Sequence, residues 1–395
     1  MAELNAAGRP HFALFDSLRG IAVLSVIGFH VAALTAVLGI GPDGRVFTVL
    51  GGEAVIVFFV ISGFLLYRPY VSARAKGREP PSTRTFLYRR VLRIVPAYWV
   101  ILTAFGVFPG LIGIFDSDFW RYYGFLQLYD PDTILGGLPV AWTLSVEVTY
   151  YAALPLWAWV VRRLPLPWMR AELLALALAA AGGVLIQLLV ARQHIPRTWG
   201  DSLLGQFPWL AIGMALAVAS VAPPRWAGLV GRYSTPIWLA GVAALAGLAS
   251  LVPPGGLLGL AAAVNAVRPF DQAVLHIVLS AVLAVAFVLP AVFGEDAGGL
   301  PRRILRLAPV AWFGTVSYSI YLWHLPVAHF IARPRDEGLY TADAGLNLLA
   351  HVHTGRTGVL FVLTVAVSAG LAAITYYGVE RPFIRRSHRQ TASGA

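Results

Sequence analysis

The segment FALFDSLRGIAVLSVIGFHVAALTAVL, residues 12–38, decides how this chain is read. It is apolar apart from Asp16, Arg19, His30 and a few small hydroxyl residues. About 20 apolar residues in a helix cross the hydrocarbon core of a bilayer, so this run is long enough to span. It does not read as a secretory leader, because Asp16 and Arg19 interrupt it and no small-residue cleavage site follows.

The rest of the chain agrees. Of 395 residues, 58% are hydrophobic and only 12% are charged, against roughly 25% charged in a soluble domain. That much charge does not cover a water-facing surface, so soluble and disordered classes are excluded. The apolar runs are continuous, whereas membrane barrels alternate apolar and polar residues. The expected fold is all-α: a polytopic membrane protein of about ten transmembrane helices. The spans are expected at 12–38, 53–71, 94–113, 141–161, 170–191, 203–221, 235–252, 271–293, 309–332 and 357–379. Residues 1–385 form one membrane domain on this reading, and 386–395 a basic cytoplasmic tail.

The orientation follows from arginine, since Lys76 is the only lysine. With the N-terminus placed inside, 22 of the 30 Lys and Arg fall in inner segments and 8 in outer ones. Positive charge accumulates on the cytoplasmic side, so both termini are expected to be cytoplasmic, in a multipass protein of the inner or plasma membrane. The net charge of +11 reads as topology rather than as nucleic-acid binding. There is no cysteine, which removes disulfides, a thiolate nucleophile and thiolate zinc ligands. No metal is expected. The outer loops 39–52, 114–140 and 333–356 are long enough to cover an outward-facing cavity, and the inner loop 72–93 is a dense arginine run.

Ionisable groups at membrane depth are costly and face an interior cavity. Arg19 and His30 lie on one face of the first helix, about 16 Å apart along its axis, with Asp16 one turn before Arg19. The polar stripe suits a path across the membrane; the plainer reading is an Asp16–Arg19 ion pair and a satisfied core histidine. Glu53 is expected near the outer end of the second helix, Glu147 two turns inside the fourth, and His324 in the outer half of the ninth. Ser317, Tyr321 and His324 share a face. A histidine near a carboxylate is the minimum equipment for taking a proton from a hydroxyl, although the same residues suit a proton relay or structural bonds. For His324 taken alone, a structural partner role is the better reading. Arg90 and Arg93, with Arg89 beside them, start the third helix. Guanidinium pairs suit phosphate. On composition alone they are topology signal and lipid contact, but beside the stripe an anionic phosphorylated donor is the better reading.

Three short matches carry no weight. Gly200-Asp201-Ser202-Leu203 spells an esterase signature without the soluble fold that chemistry needs, and Asp201 or Ser202 is expected to cap the sixth helix. His11 and Asp16 straddle a helix entry. The glycines of 51–63 form no phosphate loop.

With these residues in place, the chain resembles the acyltransferase-3 family of integral membrane O-acyltransferases. The resemblance runs through Phe15-Asp16-Ser17-Leu18-Arg19-Gly20 with the Arg19-to-His30 spacing, then Phe58-Phe59-Val60-Ile61-Ser62-Gly63-Phe64. It continues through Arg89-Arg90-Val91-Leu92-Arg93-Ile94-Val95-Pro96, Trp142-Thr143-Leu144-Ser145-Val146-Glu147, Ser317 to His324, and Glu380-Arg381-Pro382. It implies transfer of an acyl group from cytoplasmic acyl-coenzyme A to a hydroxyl of a glycan, a glycolipid or a macrolide, as in O-acetylation of cell walls and surface glycans. It implies His30 as base or relay and Arg19 as its partner in the stripe. Arg90 and Arg93 would contact the coenzyme A phosphates, and Glu147 would orient His30 or the acceptor. Thr143 stands where serine is more usual. The chain carries no periplasmic esterase-like domain, so the core completes the transfer or hands the acyl group to a separate protein. On this reading Glu53, Ser145, Tyr321 and His324 face the acceptor, and Tyr321, Ser145 or a backbone amide steadies the oxyanion. The rival reading is a secondary transporter or flippase for an anionic or acylated small molecule; the paired repeats common in transporters are not seen. A structural or scaffold subunit, the second rival, does not require the stripe.

Overall fold

The computed structural model describes residues 3–4, 10–108, 110–111, 114–134, 136–254, 256, 267–294, 298–332 and 357–392. The expected loop 333–356 lies outside them. The described chain is helical, apart from an antiparallel pairing of Glu3–Leu4 with Pro10–His11. The principal helices are α1 (Ala13–Leu34), α2 (Gly41–Ala75), α3 (Thr83–Val107), α4 (Trp142–Arg162), α5 (Trp168–Ala191) and α6 (Leu203–Val221). They continue with α7 (Ser234–Ser250), α8 (Phe270–Val292), α9 (Ala308–Thr315), α10 (Ser317–Ala332) and α11 (Thr357–Thr375). A π-helical turn, Tyr376–Glu380, joins α11 to α12 (Arg381–Ala392).

Each of the ten expected spans coincides with one of these helices or a pair of them. Among the described residues, eight helices are long and apolar enough to cross a membrane. The other two spans depart for local reasons. α7 has 17 residues, about 26 Å. The expected span 309–332 breaks between α9 and α10, where the Ser317 hydroxyl donates to Gly314 O at 2.8 Å and so competes with the helical ladder.

Two expected loops are largely helix. α2 begins at Gly41, so most of 39–52 is its first three turns. Of the loop 72–93, only 76–82 lies between α2 and α3. At 35 residues, α2 is about 52 Å long and projects beyond a bilayer core. The expected tail is helical as far as Ala392.

One end of the bundle collects the arginines. Arg74 pairs with Glu172 at 2.6 Å, Arg162 donates to Arg78 O, and Arg68 lies over the Phe12 ring. α12 packs on α3. Both ends of the described chain therefore sit at this end. Ser202 occupies the N-cap position of α6, but its hydroxyl donates back to Trp199 O at 2.7 Å, and Asp201 pairs with Arg197. Neither side chain caps.

α1, α2 and α6 form the centre and α5 the periphery: 67% of the apolar window of α2 is buried, against 11% for α5. α2 and α6 touch backbone to backbone. A Cβ on Gly213 would meet Val60 O at 1.9 Å, and one on Gly63 would meet Leu210 O at 2.2 Å. Small residues give membrane helices this close approach. Gly213→Ala should lower stability by about 1–3 kcal/mol, read as a lower thermal midpoint in detergent. Gly228→Ala, which meets nothing within 4 Å, should leave it unchanged.

Candidate active site

A cavity with about 1030 Å³ of non-atom space, part of it open to the outside, lies among α1, α2, α3, α4 and α10. Arg19, Arg90 and Arg93 line it together with Glu147, Ser62 and Tyr151. Four helices bring these groups together. Arg90 and Arg93 share a face of α3 by their spacing of three, and Glu147 and Tyr151 share a face of α4 by their spacing of four. Ser62 Oγ donates to Glu147 Oε1 at 2.9 Å, and Tyr151 OH donates to Oε2 at 3.0 Å. Both carboxylate oxygens are thereby fixed, and Arg93, Glu147 and Tyr151 lie within electrostatic reach of Arg19.

Arg89 does not line the cavity, since one residue along a helix turns it 100° from Arg90. Asp16 acts on Arg19 electrostatically and also does not line the cavity. Its backbone is held against Gly314 of α9, where a Cβ would meet Asp16 O.

The cavity stops at Phe58, Thr143 and Tyr321, and the histidines lie behind that wall. His324 is fully buried, while His30 is half-buried. Their rings are 5.0 Å apart, with His324 Nε2 at 3.2 Å from His30 Nδ1. His324 Nδ1 lies 2.7 Å from Tyr321 O, and His30 Nδ1 lies 3.0 Å from Val26 O. A carbonyl only accepts, so each Nδ1 carries the hydrogen when the rings are neutral. His324 Nε2 then holds a lone pair facing the His30 N–H, and His30 Nε2 holds the second lone pair. The partner of the His30 imidazole is thus another imidazole. Glu147, the expected orienting group, is bonded to Ser62 and Tyr151 instead.

The other expected contacts divide. Tyr321 lines the cavity, but its hydroxyl donates to Val140 O at 2.9 Å and accepts from Thr143 at 3.0 Å. Ser145 is buried and donates to Ala141 O at 3.4 Å. Neither hydroxyl has a proton left for an oxyanion. Glu53 lies twelve residues inside α2 rather than near its end, and it belongs to a different cavity.

Sequence reasoning gave no role to Ser62, quoted only within a motif, or to Tyr151. The spacing of four from Glu147 was the available signal for Tyr151, whereas only the packing of α2 on α4 reveals Ser62. Glu380 was read only as part of a motif. It is buried, accepts from Ser319 and lies within electrostatic reach of Arg93; π turns of this kind recur at functional sites.

The acyltransferase domain family (acyltransferase-3) matches residues 12–377 of the chain. The chain is similar to Acyltransferase MdmB of Streptomyces mycarofaciens, at 26% identity over 389 residues, 93% of this chain and 90% of that protein. It is similar to Exopolysaccharide production protein ExoZ of Rhizobium meliloti, at 28% identity over 387 residues, 93% of this chain and 97% of that protein. Against Peptidoglycan O-acetyltransferase OatA of Listeria monocytogenes it is 25% identical over 348 residues, 83% of this chain and 51% of that protein. The chain thus spans about half the length of OatA. No solved structure matches the chain.

The paired hydroxyls on Glu147 give a test. Glu147→Leu leaves both without an acceptor and should cost about 1–3 kcal/mol. Glu147→Gln keeps one acceptor oxygen and should cost less. Equal thermal midpoints for the two purified variants would contradict the pairing.

Proposed function

Because this chain belongs to the acyltransferase-3 family, we propose that it is a membrane-embedded enzyme moving an acyl group from acyl-coenzyme A to a hydroxyl of a surface glycan or glycolipid. Its family consists of membrane O-acyltransferases. The glycan acceptor is favoured by the similarity to the exopolysaccharide production protein ExoZ and the peptidoglycan O-acetyltransferase OatA. In this reading the protein sits in the inner or plasma membrane, with its arginine-rich end toward the cytoplasm.

One observation carries the proposal. α1 presents Arg19 to the cavity and His30 beyond its far wall, about 16 Å along one axis. The donor's anionic end suits three guanidiniums, which bind phosphate through fixed forks of N–H donors. The Arg90 Nε is buried with no hydrogen-bond partner among the described residues, which supports an anionic occupant. The pantetheine arm then runs along the apolar wall made by Leu65, Leu66, Val55 and Phe58 toward His30.

The chemistry needs one base. The acceptor's O–H proton passes to His30 Nε2 while its oxygen bonds to the thioester carbonyl carbon. The C–S bond breaks, and the leaving thiolate takes a proton back from the imidazolium. His324 is a positioning residue: its lone pair shares the Nδ1–H of His30 with Val26 O and so helps to keep Nε2 as the basic nitrogen. His30 is half-buried, whereas His324 is fully buried.

Purified protein given acyl-coenzyme A and a glycan acceptor should release free thiol and ester without any gradient; a transporter would release neither. His30→Ala should reduce turnover by about 10²–10⁴-fold in protein that still folds and purifies, and retained turnover would overturn the proposal. Arg93→Gln should raise the KM for acyl-coenzyme A by roughly ten- to a hundredfold, the worth of a charge-assisted hydrogen bond, with a smaller effect on kcat.

A further inference from the structure

Glu53 has no place in the acyl-transfer cavity. Nine residues separate it from Ser62, which puts the two on opposite faces of α2. It lines a second cavity, with about 490 Å³ of non-atom space and partly open, between α1, α2, α7 and α8. α1 contributes Leu18, Ile21, Ala22 and Ser25, a single helical face, and the far walls are Leu245, Leu283 and Phe287.

The lining is hydrocarbon except for Ser25 and Glu53. The Ser25 hydroxyl donates to Ile21 O at 3.0 Å. Glu53 is 4% exposed. Its Oε1 accepts from Ser280 Oγ at 2.8 Å, with His276 Nε2 farther off at 3.9 Å. Its Oε2 is buried and has no hydrogen-bond partner among the described residues. A carboxyl oxygen removed from water without a partner is costly, so an occupant that supplies a donor is strongly favoured.

The location limits that occupant. Glu53 is about 18 Å from the start of α2 and about 33 Å from its end, well within the membrane-spanning length. Ile21, at the rim, is 43% exposed, which opens the cavity on the outer face of the bundle. A phospholipid headgroup stays at the interface, and an ionised fatty carboxylate carries no hydrogen-bond donor for Oε2. We propose that this cavity binds a neutral lipid alcohol from the bilayer. Its alkyl chain lies between α1 and α8, and its hydroxyl donates to Glu53 Oε2. The site lies across α2 from the arginine-lined cavity and does not depend on the acyl-transfer reading.

The test uses the full-length protein in phosphatidylcholine nanodiscs with a long-chain alkyl alcohol carrying a diazirine. Photolabelling should fall on peptides of α1 and α8 that line the cavity. Glu53→Leu should weaken this labelling about tenfold, the loss of one hydrogen bond to a carboxylate, while Glu53→Gln, which keeps an acceptor oxygen, should retain most of it. Leu245→Trp fills the cavity without touching Glu53 and should also remove labelling, which decides the matter if Glu53→Leu does not fold. The methyl ether of the same alcohol should label weakly and be indifferent to Glu53→Leu. Equal labelling by alcohol and ether, stronger labelling by the matching fatty acid, or labelling that survives Leu245→Trp would overturn the proposal.

Discussion

The arrangement depends on burying α1, a helix that carries a guanidinium near one end and an imidazole near the other. A charge at membrane depth is stable only where the protein surrounds it with partners, and the surrounding helices are organised to provide them. α4 brings Glu147 and Tyr151 within electrostatic reach of Arg19, α10 brings His324 against His30, and α3 adds the like charges of Arg90 and Arg93, which leaves an excess of positive charge in the cavity. The glycine contacts of α1 with α9 and of α2 with α6 draw these backbones close enough for the side chains to meet. The buried column is therefore both the framework of the bundle and the axis of the proposed chemistry.

The hydrogen-bond inventory sorts roles that residue type alone leaves mixed. Every cavity hydroxyl with a described bond on α4 and α10 gives its proton to a fixed acceptor: Thr143 to Tyr321 OH, Tyr321 to Val140 O, Ser317 to Gly314 O, Tyr318 to Ile94 O, Tyr151 to Glu147. In the proposed reading the guanidiniums meet an anion in the cavity, and the His30 Nε2 lone pair meets a proton beyond the wall of Phe58, Thr143 and Tyr321. Binding and proton transfer are then separated along α1, as a long donor with its reactive group at one tip requires.

Much of this was legible in the sequence, for identifiable reasons. Apolar runs of membrane length fix where helices lie, so each expected span found its helix. Spacing along one helix is also legible, which is why Arg90 and Arg93, three residues apart, line one cavity together; Arg19 lines it too, whereas His30 on the same helix does not. What fails is anything decided between helices. The imidazole's neighbour was expected to be Glu147 because a carboxylate is the usual partner, but α4 turns that side chain toward Ser62 while α10 delivers His324. Arg89 was grouped with its neighbours by proximity in sequence although helical rotation points it elsewhere. Glu53 was assigned to the acceptor because the start of α2 was placed twelve residues too late: Gly51 and Gly52, with Pro42 and Asp43, read as loop residues, yet tertiary packing holds them in helix.

The account's central claim is that the donor lies along α1 from the arginines to His30. A structure of the protein with a non-hydrolysable thioether analogue of acyl-coenzyme A tests it directly. The account predicts phosphates on Arg90 and Arg93 and the carbon adjoining sulfur placed so that an acceptor oxygen can approach it at about 3–3.5 Å while bonded to His30 Nε2. Phosphates bound away from these arginines, or a sulfur remote from His30 with α1 between them, would contradict it.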